Sequence, residues 1–133
     1  MSENLELVRS IFAAWERGDY ASAEWADPAI EYVWVDGPSP GTWTGLDAMA
    51  NAWGDWLRAW GDFRAKADDY RVLDEARILA LNSFGGSGKT SGLGVGQLLS
   101  KGASVWDLRA GRVVRLALYW DRERALADLD LTG

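Results

Sequence analysis

The stretch ASVWDLRAGRVVRLALYWDRERAL, residues 103–126, decides the fold. Two runs of β-branched, aromatic and aliphatic side chains flank Ala110-Gly111, and such runs around a two-residue turn are typical of a β-hairpin. We therefore expect strands over 93–109 and 112–120. The segment 121–129 begins with an aspartate, a favoured N-cap residue, and is predicted to be a short closing helix.

Towards the N-terminus, hydrophobic periodicity divides the chain into helices first and strands later. Apolar residues at helical spacing predict the helices, and alternating apolar residues predict the strands. The predicted elements are helices over 3–17, 20–25 and 44–60, strands over 30–36, 64–74 and 77–85, and a loop over 37–44. This order predicts an α+β fold in which a long helix precedes an antiparallel meander.

The stretch FGGSGKTSG, residues 84–92, has the composition of a phosphate-binding loop. Such a loop needs its first glycine at the position that Ser83 occupies. After Lys89, glycines alternate with apolar residues, which is a period of two and not that of the helix that must follow a phosphate loop. We therefore interpret the stretch as a hairpin turn and not as a nucleotide site.

Composition limits the chemistry that is open to this chain. Its 133 residues include no histidine and no cysteine, which excludes histidine-dependent catalysis, disulfides and cysteine-bound metals. A formal net charge of −6 argues against nucleic-acid and anionic-membrane partners. Because we find neither a signal-like start nor an apolar run of about 20 residues, we expect a cytoplasmic protein. Acidic pairs such as Asp68-Asp69 are interpreted as solvated charges, so no metal site is expected.

Residues 103–126 resemble the C-terminal hairpin of SnoaL-like proteins, which belong to the nuclear-transport-factor-2-like superfamily. The segments FAAWERGD at 12–19 and GLDAM at 45–49 are similar to the same family. The resemblance implies a curved, mixed, mainly antiparallel sheet wrapped around a long helix, a cone-shaped α+β barrel with a deep apolar pocket. It further implies one SnoaL-like domain over 1–133, a small hydrophobic molecule as partner, no cofactor, and a homodimer.

The resemblance also points to individual residues. Steroid-isomerase-like relatives carry an aspartate base nine residues before the glycine that opens the long helix, and Asp36 lies nine residues before Gly45. The oxyanion donors of those relatives fall, by the same counting, on Ile11 and Ala103, whose side chains donate no hydrogen bond. The pocket tryptophan before the closing helix is matched by Trp120.

Asp36 is the candidate catalytic base on its local sequence as well. Strand alternation places it on the same face as Tyr32 and Trp34, and aromatic walls around a carboxylate make it a better proton acceptor. Tyr32, Tyr119 and Asn51 are candidate donors to a developing oxyanion. The alternative role for Asp36 is structural, because an aspartate followed by glycine commonly starts a turn.

Apolar side chains are expected to line the ligand pocket. The predicted substrate-binding residues are Tyr32, Trp34, Trp56, Leu116, Leu118 and Trp120. Alternation turns the three residues of the last strand inward, whereas Arg115 and Tyr119 face outward.

Other tryptophans are given different roles. Aromatic residues at helical spacing usually belong to a core, which is our interpretation of Trp53 and Trp60. Trp106 is a candidate outward-facing residue of a dimer interface.

Three functions remain open from the sequence. The first is an isomerase, cyclase or lyase that acts on an apolar cyclic substrate by proton transfer through Asp36 in a tryptophan-lined pocket. The second is a protein of the same fold that binds a small hydrophobic ligand without catalysis, and the third is a dimeric or partner-binding scaffold. A desolvated Asp36 with converging donors favours the enzyme, an apolar pocket without such a group favours the binder, and a self-filled cavity favours the scaffold.

Overall fold

The structure is a computed structural model that describes residues 3–16, 24–36, 40–59, 64–87 and 97–129. Within these residues the chain order is helix, two strands, helix, four strands, helix. The elements are α1 (Glu3–Glu16), β1 (Ala26–Trp34), β2 (Gly41–Thr44), α2 (Leu46–Ala59), β3 (Arg64–Val72), β4 (Arg77–Ser87), β5 (Gln97–Arg109), β6 (Arg112–Tyr119) and α3 (Arg122–Asp128).

The helices α1 and α2 cover one side of the sheet because each has an apolar face. The buried residues of α1 recur at helical spacing and are Val8, Ile11, Phe12 and Trp15. From α2, Met49 joins the same core and Trp53 packs against it. Gly45 precedes α2 with a φ of 96°, in the left-handed region that favours glycine, and its N–H donates to the Ile30 carbonyl oxygen at 2.8 Å. Over the described residues, none of the helices is long and apolar enough to cross a membrane.

The strands form one mixed sheet in the order β2-β1-β6-β5-β4-β3. β1 runs parallel to β6, and the other described pairs are antiparallel. Between β5 and β6 the chain turns through Ala110 and Gly111, whose φ values of 54° and 78° are typical of a primed two-residue hairpin turn. β2 and β3 are the edges of the described sheet, which is therefore open and not a closed barrel.

Side chains alternate between two faces of the sheet, and each face has its own covering. The inner face packs against α1 and α2, and its buried residues include Tyr32, Trp34, Ile78, Ala80, Trp106, Leu116 and Leu118. The buried residues of the outer face include Val33, Leu79, Leu81, Ala103, Val105, Ala117 and Tyr119, in one cluster with Ala125 and Leu126 of α3. The inward direction of Leu116 and Leu118 and the outward direction of Tyr119 are confirmed.

A cap and one arginine fix α3 to the sheet. Asp121 is the N-cap residue, and its Oδ1 accepts a hydrogen bond from the backbone N of Glu123 at 3.0 Å. The Arg122 guanidinium donates to Asp68 Oδ2 at 2.9 Å. It also donates to the carbonyl oxygens of Gly102 at 3.1 Å and Asn82 at 3.2 Å. The start of α3 is thereby joined to β3, β4 and β5.

The predicted fold class is confirmed, but two local predictions at the N-terminal half are wrong. The first strand begins at Ala26 and ends at Trp34, earlier than the predicted 30–36, and Glu24 and Trp25 form a turn and not the end of a helix. Where the sequence predicts a loop, 41–44 form β2, with Trp43 opposite Tyr32 of β1. In both cases pairing with another strand determines the structure: β1 pairs with β6, and β2 pairs with β1. Local sequence propensity carries no information about such pairing.

Two paired strands flank the glycine-rich stretch that the sequence predicts to be a hairpin turn. β4 and β5 pair in continuous antiparallel register as far as Ser87 opposite Gln97. The turn itself, residues 88–96, lies outside the described residues, as do 20–23 of the predicted short helix.

Candidate functional site

The register of the strands places five residues in one row across the sheet, and we name this set the end row: Asp36, Trp120, Gly102, Asn82 and Ala67. Asn82 is paired with Gly102 of β5 and with Ala67 of β3. The last pair of β5 and β6 is Ala103 with Tyr119, so Gly102 and Trp120 follow one step further. Trp34 is paired with Leu118, which brings Asp36 to Trp120 two residues later.

Asp36 is held in this row by its carboxylate. Oδ1 accepts a hydrogen bond from the backbone N of Trp120 at 2.6 Å, and the interaction is partly buried. The backbone N of Val35 donates to the Leu118 carbonyl oxygen at 2.9 Å, so β1 and β6 remain joined up to this point. Within the described part of the chain, Oδ2 of Asp36 has no hydrogen-bond donor. The residue therefore ties two strand ends together through one of its oxygens.

Two tryptophans neighbour Asp36 in the sheet: Trp34 is two residues before it, and Trp120 is the residue whose backbone N–H it binds. The rings of Trp34 and Trp120 are 6.3 Å apart between centroids and inclined at 51°. Trp34 Nε1 donates to the Tyr32 hydroxyl at 2.7 Å in a buried hydrogen bond. Burial raises the pKa of Tyr32 well above its usual value, against the opposing effect of the Trp34 hydrogen bond, so the phenol stays protonated. The Tyr32 ring also packs against two further tryptophans, with its centroid 5.8 Å from that of Trp43 and 6.1 Å from that of Trp53.

The predicted substrate-binding residues occupy different environments. Those with no more than 3% of their surface exposed are Tyr32, Trp34, Leu116 and Leu118. Trp120 is partly buried and packs against the same cluster. Trp56 belongs to α2, but its side chain lies outside the described part of the structure. Trp53 packs against the core as predicted, and Trp60 is outside the described residues.

A buried polar relay on the inner face was not among the predicted site residues. Trp106 Nε1 donates to Ser104 Oγ at 2.8 Å, and Ser104 Oγ donates to Asn82 Oδ1 at 3.0 Å. Asn82 and Ser104 are fully buried. Among the described residues, the Nδ2 of Asn82 has no hydrogen-bond partner. A sequence signal existed: an asparagine on the same strand face as Ile78 and Ala80, where apolar residues are otherwise expected.

Most of the predicted oxyanion donors are not available in the end row. The Tyr119 hydroxyl lies on the outer face and donates to Asp128 Oδ2 at 3.1 Å. Asn51 is exposed on α2. Ile11 is buried in the inner cluster, whereas Ala103 faces outward, so the residues of β5 that face the site are its neighbours Gly102 and Ser104. The match to the relatives, which was made by counting residues, is therefore displaced by one residue from the inward-facing positions of β5.

The prediction for Trp106 is wrong. It is fully buried on the inner face, with ring centroids 5.7 Å from those of both Phe12 and Trp15. The reason is its cross-strand partner: Trp106 is paired with Leu116, and paired residues share a face of a sheet. Because Leu116 faces inward, Trp106 does too, and it is not part of an outward-facing dimer interface.

A separate hollow lies away from the end row. It has a volume of about 320 Å³ and lies between α1, the turn before β1 and the β5–β6 turn. Its lining residues are Leu7, Ser10, Ile11, Ala14, Trp15, Glu24, Trp25 and Gly111. It includes none of the predicted site residues, and its one hydroxyl, that of Ser10, already donates to the Leu7 carbonyl oxygen at 2.7 Å. No group of three or more acidic residues close enough to hold a metal ion occurs within the described ranges.

Comparison with solved structures agrees with this architecture. An NTF2-like protein from Burkholderia thailandensis is 22% identical, with a TM-score of 0.78 over 97% of this chain and 98% of that one. A putative polyketide cyclase from Xanthomonas campestris is 21% identical, with a TM-score of 0.70 over 94% and 95%. A hypothetical protein with a ketosteroid isomerase-like fold from Catenulispora acidiphila, in complex with trimethylamine, is 14% identical, with a TM-score of 0.72 over 96% and 94%. At such identities the likeness shows the fold alone.

The family is shown by a different comparison. No curated protein matches the chain. The sequence model of the SnoaL-like domain, however, matches residues 8–116, which run from the core of α1 to the inward-facing part of β6. Fold, inner-face packing and sequence model agree, and the chain belongs to the SnoaL-like domain family.

Proposed function

We propose that this chain is a cofactor-free enzyme of the isomerase, cyclase or lyase kind that moves a proton on a small apolar cyclic molecule, with Asp36 as the base. The observation that carries the proposal is the Asp36 carboxylate. One of its oxygens is fixed by the Trp120 N–H at 2.6 Å, while the other has no donor among the described residues. A base oriented in this way requires no rearrangement before it reacts.

The surroundings of Asp36 fit an apolar ring system. Trp34 and Trp120 are neighbours of Asp36 in the sheet and their rings lie 6.3 Å apart between centroids, and Leu118 lies beside Trp34 in the neighbouring strand. In the proposed reaction, Oδ2 takes a proton from a carbon next to a carbonyl group as the C–H electron pair becomes part of an enolate. The same carboxyl group then returns the proton to the same or a neighbouring carbon, so no other reactant is consumed. Tyr32, Leu116 and Trp56 complete the proposed lining, the first two as deeper residues of the inner face.

The second candidate is a ligand-binding protein without catalysis. Tyr32, Trp34, Leu116 and Leu118 are almost completely buried, which favours a pre-packed apolar floor over a polar catalytic cavity. A scaffold role is the third candidate, and the same packing is its support. The three candidates differ in what they predict for Asp36, because only the enzyme needs a carboxylate that accepts a proton.

Two substitutions at Asp36 separate catalysis from structure. In Asp36→Asn the amide oxygen still accepts from the Trp120 N–H, but the side chain no longer takes up a proton. In Asp36→Ala both properties are lost. The assay is exchange of α-hydrogens for deuterium in D₂O, followed by proton NMR on a panel of bicyclic ketones that includes 2-tetralone. Glu31→Gln is the matched control, because Glu31 is a partly exposed carboxylate that pairs with Arg115 at 2.7 Å.

We expect the wild type and Glu31→Gln to accelerate exchange equally. Asp36→Asn is expected to lose about a hundredfold or more of that rate, in line with the usual contribution of a general base, while it unfolds at the same denaturant concentration as the wild type. Exchange by Asp36→Asn at the wild-type rate contradicts the proposed base. Ligand binding by the wild type without any acceleration supports the binding protein instead.

Three predictions from the sequence that concern the whole chain belong to the same proposal: a single domain over 1–133, a homodimer, and a cytoplasmic location. One cooperative unfolding transition by calorimetry tests the first. Light scattering after size exclusion tests the second, with a mass twice the 14.7 kDa of the chain as the expected result. Fractionation of the host cell tests the third.

A further inference from the structure

We infer that the side-chain amide of Asn82, three strands from Asp36 in the end row, is the group that binds an acceptor oxygen of the ligand, a neutral carbonyl. This inference deepens the proposed function and rests on it for the role of Asp36. It assigns a specificity-determining residue and, with it, a substrate class. Four observations support it: burial, the direction of the relay, the register, and the charges around the row.

The first observation is an unused donor in a buried position. Asn82 is fully buried, and its Nδ2 has no hydrogen-bond partner among the described residues. Nearly all buried side-chain polar atoms in folded proteins are partnered, by protein or by ordered water. An isolated N–H in this position therefore favours any ligand that presents an oxygen to it. By the usual cost of an unpaired buried donor, an acceptor should gain about tenfold to a hundredfold in affinity over an isostere without one.

The second observation is the direction of the relay. Trp106 has only an N–H to offer, so Ser104 Oγ accepts from it at 2.8 Å. The Ser104 hydroxyl then donates to Asn82 Oδ1 at 3.0 Å. The amide oxygen is thus occupied, and the two hydrogens of Nδ2 are what the relay leaves for a ligand. Chained hydrogen bonds polarise one another, which makes the final N–H a better donor.

The third observation is the register. Asn82 and Asp36 stand three strands apart in the end row, which is about 14 Å along a flat sheet with strands about 4.8 Å apart. The intervening residue of β5 is Gly102, so no β5 side chain stands between Asn82 and Trp120 in this row. Both side chains lean towards the strands between them, since Asp36 Oδ1 contacts the Trp120 backbone N and Asn82 Oδ1 contacts Ser104 Oγ. A lean of about 2.5 Å at each end reduces the gap to about 9 Å, and curvature towards the inner face shortens it further. A ketone bound at both ends spans about 8 Å: two hydrogen-bond lengths of about 2.9 Å and the distance of about 2.4 Å from the carbonyl oxygen to the α-carbon.

The fourth observation concerns charge. The only ionisable group of the end row is the Asp36 carboxylate, which disfavours an anionic ligand. The cation nearest in sequence to Trp120, Arg122, is engaged with Asp68 Oδ2 at 2.9 Å and with the carbonyl oxygens of Gly102 and Asn82. Arg122 therefore binds the backbone of the end row, and the group that faces the ligand oxygen is a neutral donor. A neutral donor opposite a carboxylate fits a ketone, aldehyde or ester carbonyl.

The test uses the full-length protein with two probes of nearly the same shape, 2-tetralone and its hydrocarbon counterpart tetralin. Side-chain amide signals are recorded in ¹H–¹⁵N spectra, which are simple here because the asparagines of the chain are Asn4, Asn51 and Asn82 and its glutamine is Gln97. Dissociation constants for both probes are measured for the wild type, Asn82→Leu, Ser104→Ala and Ser83→Ala. Ser83→Ala is the matched control, since Ser83 follows Asn82 in β4 and its hydroxyl donates to the exposed Asp68 at 2.6 Å.

We expect 2-tetralone, and not tetralin, to shift the Asn82 amide signal. Asn82→Leu should weaken the binding of 2-tetralone about tenfold or more and leave the binding of tetralin unchanged or tighter. Ser104→Ala should weaken the binding of 2-tetralone by a smaller factor. Ser83→Ala should change neither. The inference is overturned if both probes move the signal alike, if neither binds, or if Asn82→Leu weakens both equally. The wild-type spectra decide the matter even if Asn82→Leu does not fold.

The outcomes also separate this inference from the proposed function. If 2-tetralone shifts the Asn82 signal but Asp36→Asn exchanges deuterium as fast as the wild type, the carbonyl site stands and the base does not. If exchange depends on Asp36 but the Asn82 signal stays in place, the base stands and the carbonyl site does not.

Discussion

The relay from Trp106 to Ser104 makes a quantitative prediction about stability. Trp106 is fully buried, and its Nε1 donates to Ser104 Oγ at 2.8 Å. In Trp106→Phe, loss of roughly 40 Å² of buried ring surface costs about 1 kcal/mol. The lost hydrogen bond costs about 1 kcal/mol more, and an incompletely filled space adds to this, so we expect a total of about 2–3 kcal/mol. Ser104→Ala should cost a similar amount, because it leaves both Trp106 Nε1 and Asn82 Oδ1 without their partner.

The stability losses of Trp106→Phe and Ser104→Ala should not be additive. Once Ser104 is gone, Trp106→Phe no longer breaks the hydrogen bond, so the double variant should be about 1 kcal/mol more stable than the sum of the single effects. Urea unfolding followed by circular dichroism gives all four free energies, provided that the m-values agree. The matched cycle pairs Trp106→Phe with Ser83→Ala, two residues that share no partner, and should be additive within about 0.5 kcal/mol. A coupling below that value between Trp106 and Ser104 refutes the relay.

Three further predictions concern the backbone and the pH dependence of stability. Ala110 has a φ of 54° in the two-residue turn, so Ala110→Asn should raise the free energy of unfolding by about 0.5–1 kcal/mol in urea titrations, and an unchanged value would contradict the left-handed turn. Gly45 has a φ of 96°, so Gly45→Ala should lower the free energy of unfolding by about 1–2 kcal/mol, and a neutral effect would contradict that backbone conformation. Burial opposes the ionisation of Asp68, but hydrogen bonds from Ser83 and Arg122 outweigh it and lower its pKa. A pKa that is lower in the folded state adds stability at pH values above the unfolded pKa of about 3.9. Asp68→Asn should therefore have a lower free energy of unfolding than the wild type at neutral pH, and this difference should shrink as the pH falls below about 4. A difference that does not change with pH would contradict the lowered pKa of Asp68.

Much of the fold follows from local patterns in the sequence. α1 and the β5–β6 hairpin were predictable because their apolar residues repeat with clean helical and strand periods, and Ala110-Gly111 supplies the turn between β5 and β6. The N-cap role of Asp121 was predictable for the same reason, since a cap depends on residues two or three positions away. The inward direction of Leu116 and Leu118 follows from strand alternation once one residue is assigned.

What could not be predicted depends on partners distant in sequence. β2 is only four residues long, and it is a strand because it pairs with β1. Both faces of β5 are apolar, with Val105 outward and Trp106 inward, so alternation alone does not say which face meets α1. The amide oxygen of Asn82 is held by Ser104, 22 residues later, which fixes the orientation of the amide and of its unpartnered Nδ2. An isolated asparagine in a strand gives no sign of that pairing.

The most direct test of the account is a crystal structure of the protein with bound 2-tetralone. We predict the carbonyl oxygen within about 3.2 Å of Asn82 Nδ2 and the α-carbon within about 3.5 Å of the Asp36 carboxylate, with the aromatic ring next to Trp34 and Trp120. A ketone bound instead in the hollow beside Trp25, or bound in the end row with its oxygen turned away from Asn82, contradicts the account.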